Sequence, residues 1–66
     1  MKKGDLERHL RRHGCELERE GANHSVWLNS ATDARSSVPR HSSRDFKRGT
    51  VRKICQELGV PLPNGF

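Results

Sequence analysis

The stretch from Gly21 to Asn29 constrains the fold of this 66-residue chain more than any other. It begins with a turn-forming glycine and contains Trp27, the only tryptophan in the sequence. Side chains alternate along it with the period of two that is typical of a strand. His24, Val26 and Leu28 share one face, and Ser25, Trp27 and Asn29 share the other. We expect Trp27 to face the interior, because only 30% of the chain is hydrophobic and no larger apolar group is available to so small a core.

The residues before this stretch predict a helix and a strand. Leu6 and Leu10 lie four apart and Gly14 follows, which indicates an amphipathic helix over residues 4–13. Residues 15–20 alternate and predict a half-buried strand. Its two faces would be Cys15, Leu17 and Arg19 inside, and Glu16, Glu18 and Glu20 outside. Gly21 belongs to the turn before the next strand and can take the positive φ that such a turn often needs.

The residues after it predict one more strand and a second helix. Residues 35–38 form a short strand that Pro39 ends, and a basic loop follows over residues 40–47. From Gly49 the apolar residues recur at helical spacing, and Gly59 ends the helix. These apolar residues are Val51, Ile54, Cys55 and Leu58. Val60 can pack back on the last turn.

The predicted order α-β-β-β-α defines an α+β fold. Short connections favour a three-stranded antiparallel sheet with both helices on one face. The second face of the sheet would be open, and His24 would lie on it. We expect one domain over residues 1–60 and a flexible tail over residues 61–66.

The net charge of +5 is concentrated in one segment. Residues 1–34 are neutral overall, whereas residues 35–53 hold seven basic side chains against Asp45 alone, a charge of +6. A local basic surface is expected for a protein that binds phosphates. Arg40, Lys47 and Arg48 are the predicted contributors, because they precede or open the second helix. The alternative is a solvated face that only keeps the protein soluble.

Several classes of function are disfavoured by the sequence. Cys15 and Cys55 belong to no CxxC pair, so no zinc or redox motif is visible, and we read both as core residues in a reducing cytoplasm. No apolar run approaches the roughly 18 residues of a membrane span. Residues 50–60 resemble the first helix of a helix-turn-helix, but no recognition helix follows, so we expect no direct DNA binding.

Histidines are the candidates for chemistry. His24 could take the proton of a ribose 2′-hydroxyl or protonate a leaving oxygen, because imidazole exchanges protons near neutral pH. His41 could contact phosphate or complete an acid/base pair, although a surface histidine is the simpler interpretation. His9 and His13 have the spacing of two metal ligands on a helix, but no clear fourth ligand accompanies them, and we expect no metal.

The order of these segments resembles the HicA-type toxins, also called YcfA-like proteins, which are small mRNA interferases of toxin–antitoxin pairs. The resemblance runs from about residue 3 to residue 60. It rests on the leading helix that ends in glycine and on three motifs. These motifs are Gly-Ala-Asn-His with an aromatic residue three positions later, Ser-Val-Pro-Arg-His at residues 37–41, and Lys-Arg-Gly-Thr-Val-Arg at residues 47–52. Ala22 stands where the family usually has serine, so the hydroxyl of that position is missing.

The resemblance implies a fold like that of a double-stranded-RNA-binding domain and a catalytic role for His24. It also implies mRNA as the substrate and a HicB-type antitoxin as the partner that covers the active surface. Two other interpretations stay open. One is a non-catalytic RNA-binding module, and the other is an interaction protein whose open sheet face docks a partner.

Overall fold

The chain forms a helix, three strands and a second helix, in the order that the sequence predicts. A computed structural model describes residues 1–40 and 45–66. The elements are α1 (Lys3–Arg12), β1 (Cys15–Glu20), β2 (His24–Asn29), β3 (Ala34–Pro39) and α2 (Arg48–Leu58). The strands form one antiparallel sheet in the order β1-β2-β3. The predicted fold class is confirmed, and the architecture is consistent with a double-stranded-RNA-binding-domain-like fold.

One face of the sheet is buried beneath both helices. Trp27 of β2 is fully buried, and Arg11 of α1 lies with its guanidinium carbon 5.1 Å from the centre of the indole ring. Both helices contribute buried side chains to the same cluster as Trp27. These are Leu6 and Leu10 from α1, and Val51, Ile54, Cys55 and Leu58 from α2. The predicted inward orientation of Trp27 is therefore confirmed.

Both helices end at a glycine, as predicted. Gly14 has a φ of 84° and follows α1, and Gly59 has a φ of 69° and follows α2. The backbone N–H of Val60 donates to the carbonyl of Cys55 at 3.0 Å, which closes the last turn of α2. The side chain of Asn29 adds a buried connection, because its Nδ2 donates to the carbonyl of Leu58 at 2.8 Å.

The predicted alternation of β1 is wrong beyond Leu17. Leu17 lies opposite Trp27, whereas Arg19 lies opposite Val26, so the register shifts between them at Glu18. This bulge places two residues of β1 against one of β2 and moves Arg19 to the open face. Burial also differs from the prediction, because only Cys15 of β1 is buried. An edge strand reached by a single short helix lacks cover over the rest of its length.

Gly21 does not adopt the positive φ that it can take in this turn. Gly14, Gly59 and Gly65 are the glycines that adopt positive φ. Gly21 is constrained by space instead, because a Cβ added there would lie 3.2 Å from the carbonyl oxygen of His24. Its backbone N–H donates to that same oxygen at 2.8 Å. A glycine therefore suits this turn because two backbone segments approach closely.

Residues 61–66, predicted as a flexible tail, contact both helices. The carbonyl of Pro61 accepts a hydrogen bond from His9 Nε2 at 2.7 Å. Pro63 is buried, and Phe66 packs against the core with the guanidinium carbon of Arg48 5.9 Å from its ring. Neither helix is long and apolar enough to cross a lipid bilayer in the part of the chain that is described.

Candidate functional site

His24 is the first residue of β2 and lies exposed on the open face of the sheet. This is the face that the sequence predicts for it. Its side chain borders a shallow groove of about 260 Å³ between β3 and α2. The other residues that line this groove are Ser37, Pro39, Thr50, Lys53, Ile54 and Glu57. The polar groups that line the groove are an imidazole, an ammonium group, two hydroxyl groups and the carboxylate of Glu57.

The turn before His24 is held by Arg40 from the end of β3. The backbone N–H of Arg40 donates to the carbonyl of Asn23 at 3.0 Å, and its Nη1 donates to the carbonyl of Gly21 at 2.8 Å. Its Nη2 also lies 3.7 Å from a carboxylate oxygen of Glu20. Arg40 therefore fixes the turn that positions His24, and part of its charge is neutralised there.

Lys47 and Arg48, two of the predicted phosphate contacts, are not among the described residues that line the groove beside His24. Lys47 is the exposed residue that precedes α2, and Arg48 opens the helix with its guanidinium over Phe66. His41 lies outside the described residues. The structure thus brings Arg40 to the turn of His24 and leaves Lys47 and Arg48 at the beginning of α2.

The side chains with which α2 lines the groove were not among the residues predicted from the sequence. Thr50, Lys53 and Glu57 recur at the spacing i, i+3, i+7, so they share one side of the helix. They lie beside the apolar residues that face the core. This polar stripe was a signal that could have identified them.

A second groove of about 340 Å³ shares residues with the first. Ser37, Lys53 and Glu57 line both grooves, and Arg35 and Val26 extend the second one across the sheet. Glu57 is oriented by Ser36, whose Oγ donates to Glu57 Oε1 at 2.7 Å. The two grooves therefore meet along the outer edge of β3.

Arg35, which lines this second groove, forms ion pairs with two carboxylates. Its Nε donates to both carboxylate oxygens of Glu18 at 2.9 and 3.0 Å, and its Nη2 lies 3.6 Å from Asp33. The hydrogen bond from Arg35 lowers the pKa of the Glu18 carboxyl, and the same bond raises the pKa of the Arg35 guanidinium. Much of the positive charge of Arg35 is therefore neutralised within the sheet.

A third groove, of about 500 Å³, borders His24 on the side of β1. It is lined by Arg19, Glu20, Gly21, Ala22, Asn23, His24 and Val26. Arg19 reaches this surface because of the bulge at Glu18, which the alternation in the sequence does not reveal. His24 thus lies between two open grooves that each contain a basic side chain.

His9 and His13 of α1 line neither groove beside His24. The rings of His9 and His13 lie 4.6 Å apart, and Nε2 of His9 donates to Pro61. That nitrogen is therefore unavailable to a metal ion. Among the described residues, no group of three or more His, Cys, Asp or Glu side chains could hold a metal.

Cys15 and Cys55 are free and buried, which confirms them as core residues. Burial raises the pKa of both thiols, and the nearby Cys15 raises the pKa of Cys55 further. Neither resembles an activated nucleophile, whose pKa would be lowered.

Comparison with known protein families supports the resemblance seen in the sequence. The family described as HicA toxin of bacterial toxin–antitoxin matches residues 4–60. The matched range includes all three strands, the whole of α2 and nearly all of α1, together with His24 and both grooves beside it. Searches of curated proteins and of solved structures returned no match. Since the match covers most of the 66 residues, the chain belongs to the HicA toxin family.

Proposed function

We propose that this protein is the toxin of a type II toxin–antitoxin pair and that it cleaves mRNA without a metal ion. Membership of the HicA family supports the toxin role. The observation that carries the proposed chemistry is the placement of His24, exposed at the end of β2 and bordered by grooves with basic side chains. Cleavage of mRNA would place the protein in the cytoplasm.

In the proposed reaction, His24 acts on the ribose 2′-hydroxyl beside the scissile phosphate. Neutral imidazole removes the hydroxyl proton while the 2′-oxygen attacks phosphorus. The bond from phosphorus to the 5′-oxygen of the next nucleotide breaks, and that oxygen is protonated. The products are a 2′,3′-cyclic phosphate and a 5′-hydroxyl. RNA supplies the nucleophile itself, so no metal-bound water is required.

Positive side chains would bind the RNA and stabilise the charge that builds on the phosphate. His41 and Lys47 lie between β3 and α2 in the sequence, Arg48 opens α2, and all three are proposed to contact phosphates. Arg40 has a double role in this proposal, because it holds the turn before His24 and adds positive charge beside it. Such contacts release counterions, so RNA affinity should fall steeply with salt.

The proposed inhibitor is a HicB-type antitoxin that covers the open sheet face. Val26 and Leu28 are half-buried on that face, next to the exposed His24. An antitoxin that buries both side chains and places carboxylates against the basic segment would exclude RNA directly. Amide exchange with and without the antitoxin tests this mode. Protection of β2 is expected, and protection confined to the helices would contradict it.

The chemistry is tested by analysing the products formed in EDTA. RNA incubated with the purified protein should yield 2′,3′-cyclic phosphate and 5′-hydroxyl ends. A synthetic substrate with a single 2′-deoxyribose at a mapped cleavage site should resist cleavage there and remain sensitive elsewhere. Dependence on added metal, or products with 3′-hydroxyl ends, would contradict the mechanism. RNA binding without cleavage would favour the non-catalytic alternative.

A further inference from the structure

The basic side chains near His24 differ in whether they form ion pairs with carboxylates. Arg35 and Arg40 are the basic residues closest to the two grooves along β3, and both are engaged. Arg35 is paired with Glu18, and Arg40 is bonded to the turn and lies beside Glu20. These pairs use the two carboxylates that flank Arg19 in sequence.

Arg19 is not one of the cations paired with these carboxylates; the bond from Arg35 is the main cause of the lowered pKa of Glu18, and the charge of Arg19 contributes to it. Arg19 lies exposed, and within the described part of the chain it forms no ion pair. The bulge at Glu18 places Arg19 opposite Val26, on the same face as His24. Bulges commonly redirect a side chain beside a functional site. A strictly alternating strand would have turned Arg19 toward the helices instead.

Lys53 is the basic side chain in the groove on the other side of His24, as Arg19 is in the groove beside β1. It is exposed on α2 and lines the groove that His24 borders, together with the hydroxyls of Thr50 and Ser37. No ion pair of Lys53 occurs among the residues that the structure describes. Glu57 is the carboxylate of this groove, and its Oε1 is held by Ser36.

We propose that Arg19 and Lys53 bind phosphates on either side of His24 and so set the path of the RNA across the sheet. The backbone would run from the groove beside β1, over His24, to the groove beside α2. Phosphates fixed on both sides would keep the intervening nucleotides, with a 2′-hydroxyl, at the imidazole. This inference rests on the proposed ribonuclease function and adds two residues to the predicted phosphate contacts Arg40, His41, Lys47 and Arg48.

An open path of this kind suits a single strand. The grooves are shallow and follow the surface of the sheet, and a flexible backbone can place its phosphates in both. The path therefore suits the single-stranded substrate of the proposed function, bound through its phosphates and without selection of bases by either cation.

The test measures binding separately from cleavage. His24→Gln protein is titrated with a single-stranded RNA oligonucleotide at several salt concentrations, alone and combined with Arg19→Gln or Lys53→Gln. Each added change should weaken binding roughly tenfold and reduce the salt slope by about 0.7, the contribution of one phosphate on a single strand. Arg12→Gln and Lys2→Gln are matched controls, because both residues are exposed and line neither groove beside His24.

Cleavage kinetics with otherwise native protein provide a second readout. Lys53→Gln should lower kcat, because the phosphate beside His24 is no longer held in position. Lys53→Arg should restore part of the rate. Binding and cleavage equal to those of the two controls would overturn the inference and leave the role of His24 intact. If the native protein binds RNA and does not cleave it, the proposed ribonuclease function fails. The titration then still shows whether Arg19 and Lys53 contact the phosphates of the bound RNA.

Discussion

The two faces of β2 differ in nearly every property, although their residues alternate along one six-residue strand. Ser25, Trp27 and Asn29 are buried, whereas His24 is exposed and its two neighbours on the open face are only half-buried. The covered face joins the sheet to both helices through the indole of Trp27 and the amide of Asn29. The open face carries the imidazole, and grooves border it on the side of β1 and at the outer edge of β3. Stability and the proposed chemistry are thus assigned to alternate residues of the same strand.

This separation means that the open face can be changed at little cost to folding. The core of so short a chain is small, and its free energy of unfolding is expected to be only a few kcal/mol. Substitutions on the covered face should therefore cost more stability than substitutions on the open face, where the main loss should be of function.

Trp27→Ala should unfold the protein. The side chain is fully buried, and truncation of a buried aromatic residue costs about 3–5 kcal/mol, which matches or exceeds the whole stability expected. Val26→Ala is the matched change on the open face and should cost about 1 kcal/mol or less. Circular dichroism during thermal unfolding measures both. Equal losses at the two positions would remove the distinction between the faces.

Asn29→Ala should destabilise the fold by about 1–3 kcal/mol without unfolding it completely. The substitution removes the bond from Nδ2 to the carbonyl of Leu58 and the bond from the N–H of Ala31 to Oδ1. It leaves a buried carbonyl without its partner. Asn23→Ala is the control, because Asn23 is exposed in the turn before β2. Denaturant unfolding compares them, and equal midpoints would contradict the role of Asn29.

Arg40→Gln should loosen the turn before His24 with a smaller loss of stability, below about 1 kcal/mol. The guanidinium bond to the carbonyl of Gly21 is lost, so amide exchange should accelerate around the turn. Lys47→Gln is the comparison, since Lys47 is exposed before α2. It should reduce the salt dependence of RNA binding and leave exchange at the turn unchanged. Identical behaviour of the two variants would mean that Arg40 acts only as a phosphate contact.

The buried thiols should make stability fall slightly at alkaline pH. Burial raises the pKa of Cys15 and of Cys55 in the folded state. Their contribution is fully present below the ordinary thiol pKa and is lost as the pH rises from there through the higher pKa of the folded protein. Cys15→Ala should reduce this alkaline loss, measured by denaturant unfolding across the pH range. An unchanged pH profile would show that the thiols do not contribute.

Local patterns predicted most of the fold correctly because each depends on neighbours in sequence. The spacing of Leu6 and Leu10, the apolar residues of α2 and the glycines after both helices are signals of this kind. The side of β2 that is buried followed from the size of Trp27. These inferences needed only periodicity and the requirement that the largest apolar group be covered.

The bulge and the groove depend on contacts between distant segments and were not predictable in this way. The shift at Glu18 appears only when β1 pairs with β2, and it reverses the expected orientation of Arg19. Lys53 comes beside His24 because α2 packs against β3, the strand that pairs with β2. The two residues are far apart in the sequence, so no local pattern shows that they meet. The concentration of basic residues in the sequence predicted Arg40, Lys47 and Arg48 as phosphate contacts. It could not show that the guanidinium of Arg40 donates to the carbonyl of Gly21 in the turn before His24.

The most direct test of the division between the faces uses one substitution and two measurements. His24→Gln keeps a polar side chain of similar size, and His13→Gln is the matched control because His13 is exposed at the end of α1. We predict that the unfolding midpoints of both variants equal that of the native protein. RNA cleavage by His24→Gln should fall by about 10²- to 10⁴-fold, whereas His13→Gln should cleave normally. Undiminished cleavage by folded His24→Gln protein would contradict the account.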